Sequence, residues 1–366
     1  MSKAQLIHKL GPPCAMQWQD WPVPDPGPGE VRLRHTAVGV NFADTYHRGG
    51  ISHPWPVPQP PVVIGFEGVD IVEGLGDGVA DFQTGDRVAY GIPPLGSYCE
   101  VRNYPADKLL QLPDGLDDRV VAALLMKGMT AHYPLHRTYA VQAGDTLLVH
   151  AAAGGMGLIL CQWAKALGAT IVGTVSTAEK AEAARAAGCD YPVVRSQQNF
   201  VEVVREVIDG EGCAVVYEAI GKDTLQDSLD CLRLMGVCAA YGHVSGPPDP
   251  VDIIQDLGRR GSLFITRPAI MHYVAKRSDL EWTARDLFKA ISDGILNANI
   301  NYEYALKDAV KAHEAIESGT TLGATVLIPR ARSASRRRQL VPTFPCALVM
   351  RESATVPRQP MVRLEV

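Results

Sequence analysis

The sequence is poor in the features that mark membrane, secreted or nucleic-acid-binding proteins. No run approaches the roughly 18 apolar residues of a spanning helix, and the amino-terminal MSKAQLIHKLGPP has no apolar core of a signal peptide. Of the eight cysteines no two stand at C-x-x-C spacing and no histidine lies at zinc-finger distance from them, so no zinc site is readable. Several cysteines sit in apolar runs, as Cys161 does in LILCQWA, where a free thiol acts as a small buried hydrophobe. Neither sign of charge dominates: 35 Lys+Arg against 40 Asp+Glu leave a net charge of −5 and no overall attraction to nucleic acid or anionic lipid. Aromatic residues are few, at 7%. These absences predict a cytoplasmic protein in a reducing compartment, with neither membrane nor nucleic acid as its partner.

What is present is a chain of 366 residues, 46% of them hydrophobic, enough for about two domains with a sizeable core. Thirty-four Gly and twenty-six Pro point to tight turns and close backbone approaches. Up to about residue 115, short alternating apolar runs between Gly, Pro and Asp predict a β-rich region. From about residue 117 a helical period appears, then a regular alternation of strand and helix. The strands expected are TLLVH (146–150), TIVGTV (170–175), YPVV (191–194), AVVYE (214–218), VCAAYG (237–242) and SLFIT (262–266). GLILCQWAKALG, AEKAEAARAAG and KDTLQDSLDCLRLMG read as helices between them, stopping at Gly168, Gly188 and Gly236. This is an α/β pattern, a doubly wound parallel sheet with its ligand crevice beyond the strand carboxyl ends. Later strands YEYAL and TVLIP are expected to return to the first region. Residues 331–366 carry about +5, leaving about −10 for the rest, and read as a basic disordered tail; a nucleic-acid or membrane arm is the alternative.

The chemistry-bearing motif lies at the first strand-to-helix turn, HAAAGGMGL. Ala152, Gly154 and Gly157 fill the three positions of the G-x-G-x-x-G fingerprint, with Ala in place of the first Gly. Gly154 lets backbone approach a pyrophosphate, Gly157 lets helix pack on sheet, and the helix N-terminus offers N–H donors. At the end of the second strand, where an NAD site carries an acid, stands Ser176, with Lys180 one turn on and Arg195 past the third strand. A hydroxyl and two cations suit a 2′-phosphate, so NADPH is the expected cofactor. Ordinary solvated charge is the alternative for each cation.

GVNFADTYHRGG, GFEGVDIVEGLGDGV, GDRVAYG, LLMKGMTAHY, HAAAGGMGL, CQWAKALGA, SLDCLRLMG and TRPAI, in that order, resemble the signatures of the zinc-independent quinone oxidoreductases of the medium-chain dehydrogenase/reductase superfamily. The resemblance runs to about Pro329. It implies a GroES-like β-rich catalytic domain (1–124, completed by 267–330), a Rossmann NADPH-binding domain (125–266) and a homodimer formed through the Rossmann sheets. It places Asn41, Phe66 and approximately Lys127 where zinc-containing relatives have ligands, a set unsuited to zinc. Glu67 and Asp44 are expected to hold the loops. By the same resemblance Phe42 to Tyr46 and Thr130 approach the cofactor, while Gly155, Met156, Ser176, Lys180 and Arg195 hold its phosphates. Tyr241 and the strand Phe264, Ile265, Thr266 are placed at the nicotinamide end and the sheet edge facing the second copy.

An acceptor reduced without a Lewis acid must take hydride readily, as a quinone or an activated enone does. NADPH-dependent quinone reduction is the leading expectation. The alternatives are reduction of α,β-unsaturated aldehydes or ketones, or a non-catalytic NADPH- or RNA-binding role. Asn41, Tyr46 and Lys127 are the candidate catalytic residues. Tyr46 is either a proton donor or an aromatic wall, and Lys127 either steadies an oxyanion or is held by Asp44 or Glu67. His150 and His243 read as core or supporting residues. The proline-rich ISHPWPVPQPPVV, with Trp55, is expected to shape the pocket.

Overall fold

The computed structural model describes residues 2–51, 56–208, 210–319 and 321–329. Trp55 and the basic tail therefore lie outside the described residues. In the turn-rich first third, Gly, Pro and Asp end each apolar run before a helix can propagate, and the chain pairs mainly as antiparallel strands. Ser2–Ile7 lies between Met16–Trp21 and Val62–Val63. Glu30–Gly39 is the spine of a seven-stranded sheet: Gly68–Leu75, Val101–Pro105 and Ala324–Ile328 all pair with it. Arg87–Tyr90 and Leu110–Gln111 continue this sheet on one side, and Ile300–Ala305 on the other. Period-two burial of Val31, Leu33 and Ala37 gives the spine its inward face. One helix, Phe42–Gly49, interrupts the β-rich part; it ends at Gly50, whose φ of 72° a side chain would resist.

Asp117 opens the second part by accepting from the backbone N–H groups of Arg119 and Val120 at the start of the helix Asp118–Tyr133. This helix runs unbroken past residues 124 and 125. Its Val121, Leu124, Leu125 and Met129 share one apolar core with Val149, Leu158, Leu287 and Val326, elements of both sheets and the late helix Arg277–Ser292. Six parallel strands follow, in the order Tyr191–Val194, Thr170–Val175, Thr146–Val149, Cys213–Glu218, Leu232–Ala240, Phe264–Thr266. The chain winds outward from Thr146–Val149 in one direction, then returns to its other side, which opens a crevice at that switch point. Gly168 and Gly188 follow the helices Gly155–Ala166 and Ala178–Ala186 at φ of 85° and 98°, as terminators do.

Gly236 departs from expectation. The helix in that segment is only Leu225–Asp230, and Leu232 already pairs with Cys213 while Val237 pairs with Val215. The four residues between are looped out of the strand, with Met235 at a φ of 57° and Leu234 and Met235 exposed. Gly236 closes that excursion, not a helix. The helical period of DSLDCLRLMG is overridden by the pairing of Leu232 into the sheet. Among the described residues no helix is long and apolar enough to cross a membrane.

Gly157 illustrates how tightly helix and turn meet. A Cβ there would lie 2.2 Å from the Ala151 carbonyl oxygen and 2.7 Å from Ala152 Cα, both backbone atoms that cannot swing aside. Gly157→Ala is therefore expected to lower stability by roughly 1–3 kcal/mol, seen as a lower urea midpoint at unchanged slope. An unaltered midpoint would refute the close-packing account.

Candidate functional site

A cleft of about 720 Å³ opens beyond the carboxyl ends of the parallel strands, with the glycine turn on one wall and the start of Phe42–Gly49 on another. Thr146–Val149 ends one residue before His150, and the chain turns through Ala151 into the helix Gly155–Ala166, capped by Gly154. Gly154, Gly155, Met156 and Gly157 all face the cleft, so the first backbone N–H groups of a twelve-residue helix meet whatever lies there. Ala152 does not line it, a correction to its expected role. It is fully buried, and its Cβ fills space left by Gly173, where an added Cβ would come within 2.7 Å of it. The missing glycine of the fingerprint is thus compensated on the neighbouring strand.

Ser176, Lys180 and Arg195 line the outer corner of the same cleft. Ser176 and Arg195 are exposed, and the Lys180 ammonium donates to the Gly319 carbonyl at 2.9 Å. That bond links the helix Ala178–Ala186 to the chain just after the helix Ala309–Glu317. Among the described residues the lining contains Lys127, Lys180, Arg195 and Arg267 and no Asp or Glu. Glycine turn, helix N-terminus and cationic, acid-free lining together fit a dinucleotide carrying several phosphates.

At the inner end lie Asn41, Phe42, Tyr46, Lys127, Thr130 and Tyr241. Glu67, fully buried, organises them: it accepts from Asn41 Nδ2 and from the Met126 backbone N–H, each at 2.7 Å, and Lys127 Nζ lies 3.4 Å away. Asp44 accepts from the Asn41 backbone N–H at 2.8 Å and the Tyr98 hydroxyl at 3.0 Å. A guanidinium has only donors, so Arg48 makes His313 Nδ1 an acceptor; His313 Nε2 then donates to Tyr98, which donates to Asp44. Burial is the main cause that raises the Asp44 carboxyl to about 7, and it lowers His313 to about 3. Burial also raises the Tyr46 phenol, partly offset by Arg267. The ring of Tyr46 meets Phe42 edge-on and stacks parallel on His243 at 5.3 Å.

Zinc does not fit here. Asn41 and Lys127 are engaged with Glu67 as donors, and Phe66 packs against His47. An amide, an ammonium and a phenyl ring provide no thiolate, imidazole or carboxylate set.

Phe264, Ile265 and Thr266 do not line the cleft, which corrects their placement beside the nicotinamide. Phe264 is 60% exposed on the edge strand, and the chain reaches the cleft only past the strand's end, at Arg267, Pro268, Ala269 and Ile270. The crevice lies beyond the strands' carboxyl ends, and this short edge strand stops before reaching it, whereas Thr174 and Val175 at the end of Thr170–Val175 do reach it. Arg267 donates to the Ala240 carbonyl and to His243 Nδ1, the latter at 3.1 Å. His150 is buried with its ring nitrogens 2.9 Å from Thr174 Oγ1 and Ser228 Oγ. Ile316, Gly319, Thr321 and Gly323 also line the cleft, and Gly154 and Gly323 form a parallel bridge. Sequence reasoning missed these residues together with Tyr133, Val244 and Arg267. TRPAI, which holds Arg267, and LLMKGMTAHY, which ends in Tyr133, carried a local signal.

Residues 155–279 match the zinc-binding dehydrogenase family and residues 27–114 the alcohol dehydrogenase GroES-like domain. The 2-haloacrylate reductase of a Burkholderia species is 53% identical over 333 residues, covering 90% of this chain and all of that protein. The quinone oxidoreductase of Pseudomonas aeruginosa is 42% identical over 329 residues, again 90% of this chain and all of the relative. The crystal structure of Escherichia coli quinone oxidoreductase complexed with NADPH superposes with a TM-score of 0.85 at 39% identity, over 89% of this chain and all of that one.

The raised Asp44 carboxyl makes stability depend on pH. Between about pH 4 and pH 7 the unfolded chain gives up this proton while the folded chain keeps it, so the contribution is complete below pH 4 and lost as pH rises through 7. Asp44→Asn is neutral throughout, and its Nδ2 would take the place of Oδ1, which has no partner among the described residues. The stability of D44N relative to the unaltered chain is expected to rise by on the order of 3 kcal/mol from pH 4 to pH 7.5. Parallel denaturation curves at the two pH values would contradict a buried acid.

Proposed function

The chain belongs to the quinone oxidoreductases of the medium-chain dehydrogenase/reductase superfamily, and from this we propose that it is an NADPH-dependent reductase that delivers hydride to a quinone without a metal. The observation that carries this reading is the cleft itself, whose phosphate end is cationic and acid-free and whose inner end holds Tyr46, Asn41 and Lys127 instead of zinc ligands. Bound NADPH supplies the hydride. The N–H groups from Gly155 to Gly157 take the pyrophosphate, and Ser176, Lys180 and Arg195 take the 2′-phosphate. Phe42, Thr130 and Tyr241 set the walls around the ring. Lys127, oriented by Glu67, stabilises negative charge on the acceptor oxygen, and Tyr46, kept as a phenol by burial, offers it a proton or hydrogen bond. Asn41 is a positioning residue that ties Glu67 to the helix bearing Tyr46.

A second reading, reduction of a conjugated C=C, is favoured by the 53% identity to a 2-haloacrylate reductase. The catalytic part comprises 1–124 and 267–330, and 125–266 binds the cofactor. Among the described residues the six buried cysteines are free thiols, which supports a reducing cytoplasmic setting that cell fractionation would check.

NADPH oxidation followed by absorbance, with 1,4-benzoquinone and chelator-treated protein, tests the activity. Turnover is expected, with Lys180→Ala and Arg195→Ala each weakening NADPH at least about tenfold more than NADH. Tight NADPH binding with no turnover would overturn quinone reduction, and equal weakening of both nucleotides would overturn the 2′-phosphate assignment.

A homodimer is also proposed, through the edge strand Phe264–Thr266. That strand has one neighbour among the described residues, and the nearby Leu234, Met235 and Ile253 expose large apolar side chains. Light scattering is expected to give twice the chain mass, falling toward the monomer in Phe264→Asp. A monomeric unaltered protein at micromolar concentration would refute the dimer.

A further inference from the structure

The four cations that line the cleft among the described residues fall into three settings. Lys180 and Arg195 stand at the phosphate corner, and Lys127 is held by Glu67. Arg267 lies at the inner end, in the wall that also contains Tyr46, Tyr133 and Gly242. Among its contacts, it donates to the carbonyl of Ala240, the last residue of the neighbouring strand, and to His243 Nδ1. Because the guanidinium cannot accept, His243 must carry its proton on Nε2, and the ring is neutral in this arrangement. Tyr46 stacks on that same ring, so Arg267, His243 and Tyr46 form one braced wall beside the expected position of the acceptor. The lining that faces this wall contains no carboxylate among the described residues.

We propose that Arg267 is a specificity-determining residue that binds the carboxylate of an α,β-unsaturated carboxylate, so that the cleft favours electron-poor acceptors carrying a carboxylate conjugated to the reducible double bond. This rests on the hydride-transfer reading above. A conjugated carboxylate anion is a poor hydride acceptor by itself, because the charge to be added falls on a group already negative. A planar guanidinium matches a carboxylate in two parallel hydrogen bonds and stabilises the enediolate charge that develops. In the reaction the carbon–carbon π bond breaks. A C–H bond forms at the β-carbon with the two electrons of the hydride, given up as NADPH becomes NADP⁺. The former π pair takes a proton at the α-carbon from the Tyr46 hydroxyl, whose O–H bond breaks and is restored from water, and the product is the saturated carboxylate.

The test compares 2-chloroacrylate with its uncharged amide, 2-chloroacrylamide, as acceptors for the unaltered protein and for Arg267→Gln and Arg267→Lys. The unaltered protein is expected to show the higher kcat/KM for the acid. R267Q is expected to lose at least about tenfold more on the acid than on the amide, with R267K recovering part of the difference. Binding of the non-reducible 2-chloropropanoate, measured by calorimetry, is expected to weaken in R267Q in parallel. An acid reduced no better than the amide by the unaltered protein overturns the assignment even if R267Q fails to fold, as does equal loss on both acceptors. Reduction of 1,4-benzoquinone alongside either result confines the failure to Arg267. NADPH bound but no acceptor reduced, quinone included, would instead overturn the hydride-transfer reading.

Discussion

Glu67 has no access to water, and a carboxylate in that position is tolerable only if its oxygens are met by donors. The donors come from three places: the amide of Asn41, the backbone of Met126 and the ammonium of Lys127. Two of these lie on the helix Asp118–Tyr133 and one at the head of Phe42–Gly49, so meeting the charge also fixes both helices against the sheet. The space is correspondingly closed. A Cβ on Gly39 would fall 2.2 Å from Glu67 Oε1 and equally close to the Ala122 carbonyl. Loss of one donor would leave a buried charge uncompensated, which costs more than a surface ion pair contributes.

The inner end of the cleft depends on this arrangement. Lys127 is brought alongside the glycine turn, where a Cβ on Gly155 would touch its side-chain carbons at 3.4 Å. Asn41 gives its side chain to Glu67 and its backbone N–H to Asp44, and Asp44 is reached in turn by the directed series from Arg48 through His313 and Tyr98. Every donor in that series points toward Asp44, which places the helix carrying Tyr46 without using a metal. The outer end depends on a different constraint, the close approach of helix to turn at Gly157 and the exchange of bulk between Ala152 and Gly173.

Much of this is legible in local pattern. Strand and helix periods mark the parallel sheet, and the turn HAAAGGMGL marks its crevice, because backbone geometry there demands glycine. Asn41, Tyr46, Lys127, Ser176, Lys180 and Arg195 all reach the cleft. Local pattern misleads where tertiary pairing outweighs local preference. Residues 232–236 read as helix yet serve a strand and its looped excursion. The family resemblance places Phe264 to Thr266 beside the nicotinamide, yet on this edge strand the cleft is reached only past the strand's end, at Arg267 to Ile270.

By itself the sequence determined the order of most elements, the dinucleotide turn and the absence of Asp or Glu at the end of the second parallel strand, where Ser176 stands. Those properties depend on residue type at a short spacing, which a linear pattern displays. Only the tertiary structure decided that Glu67 binds Asn41 and Lys127 together, that Gly323 lies beside Gly154, and that Arg267 and Tyr46 brace the same histidine. These contacts join residues from 24 to well over a hundred positions apart. Their closeness is set by how two sheets and a shared helix bury one apolar core, and no local period encodes it.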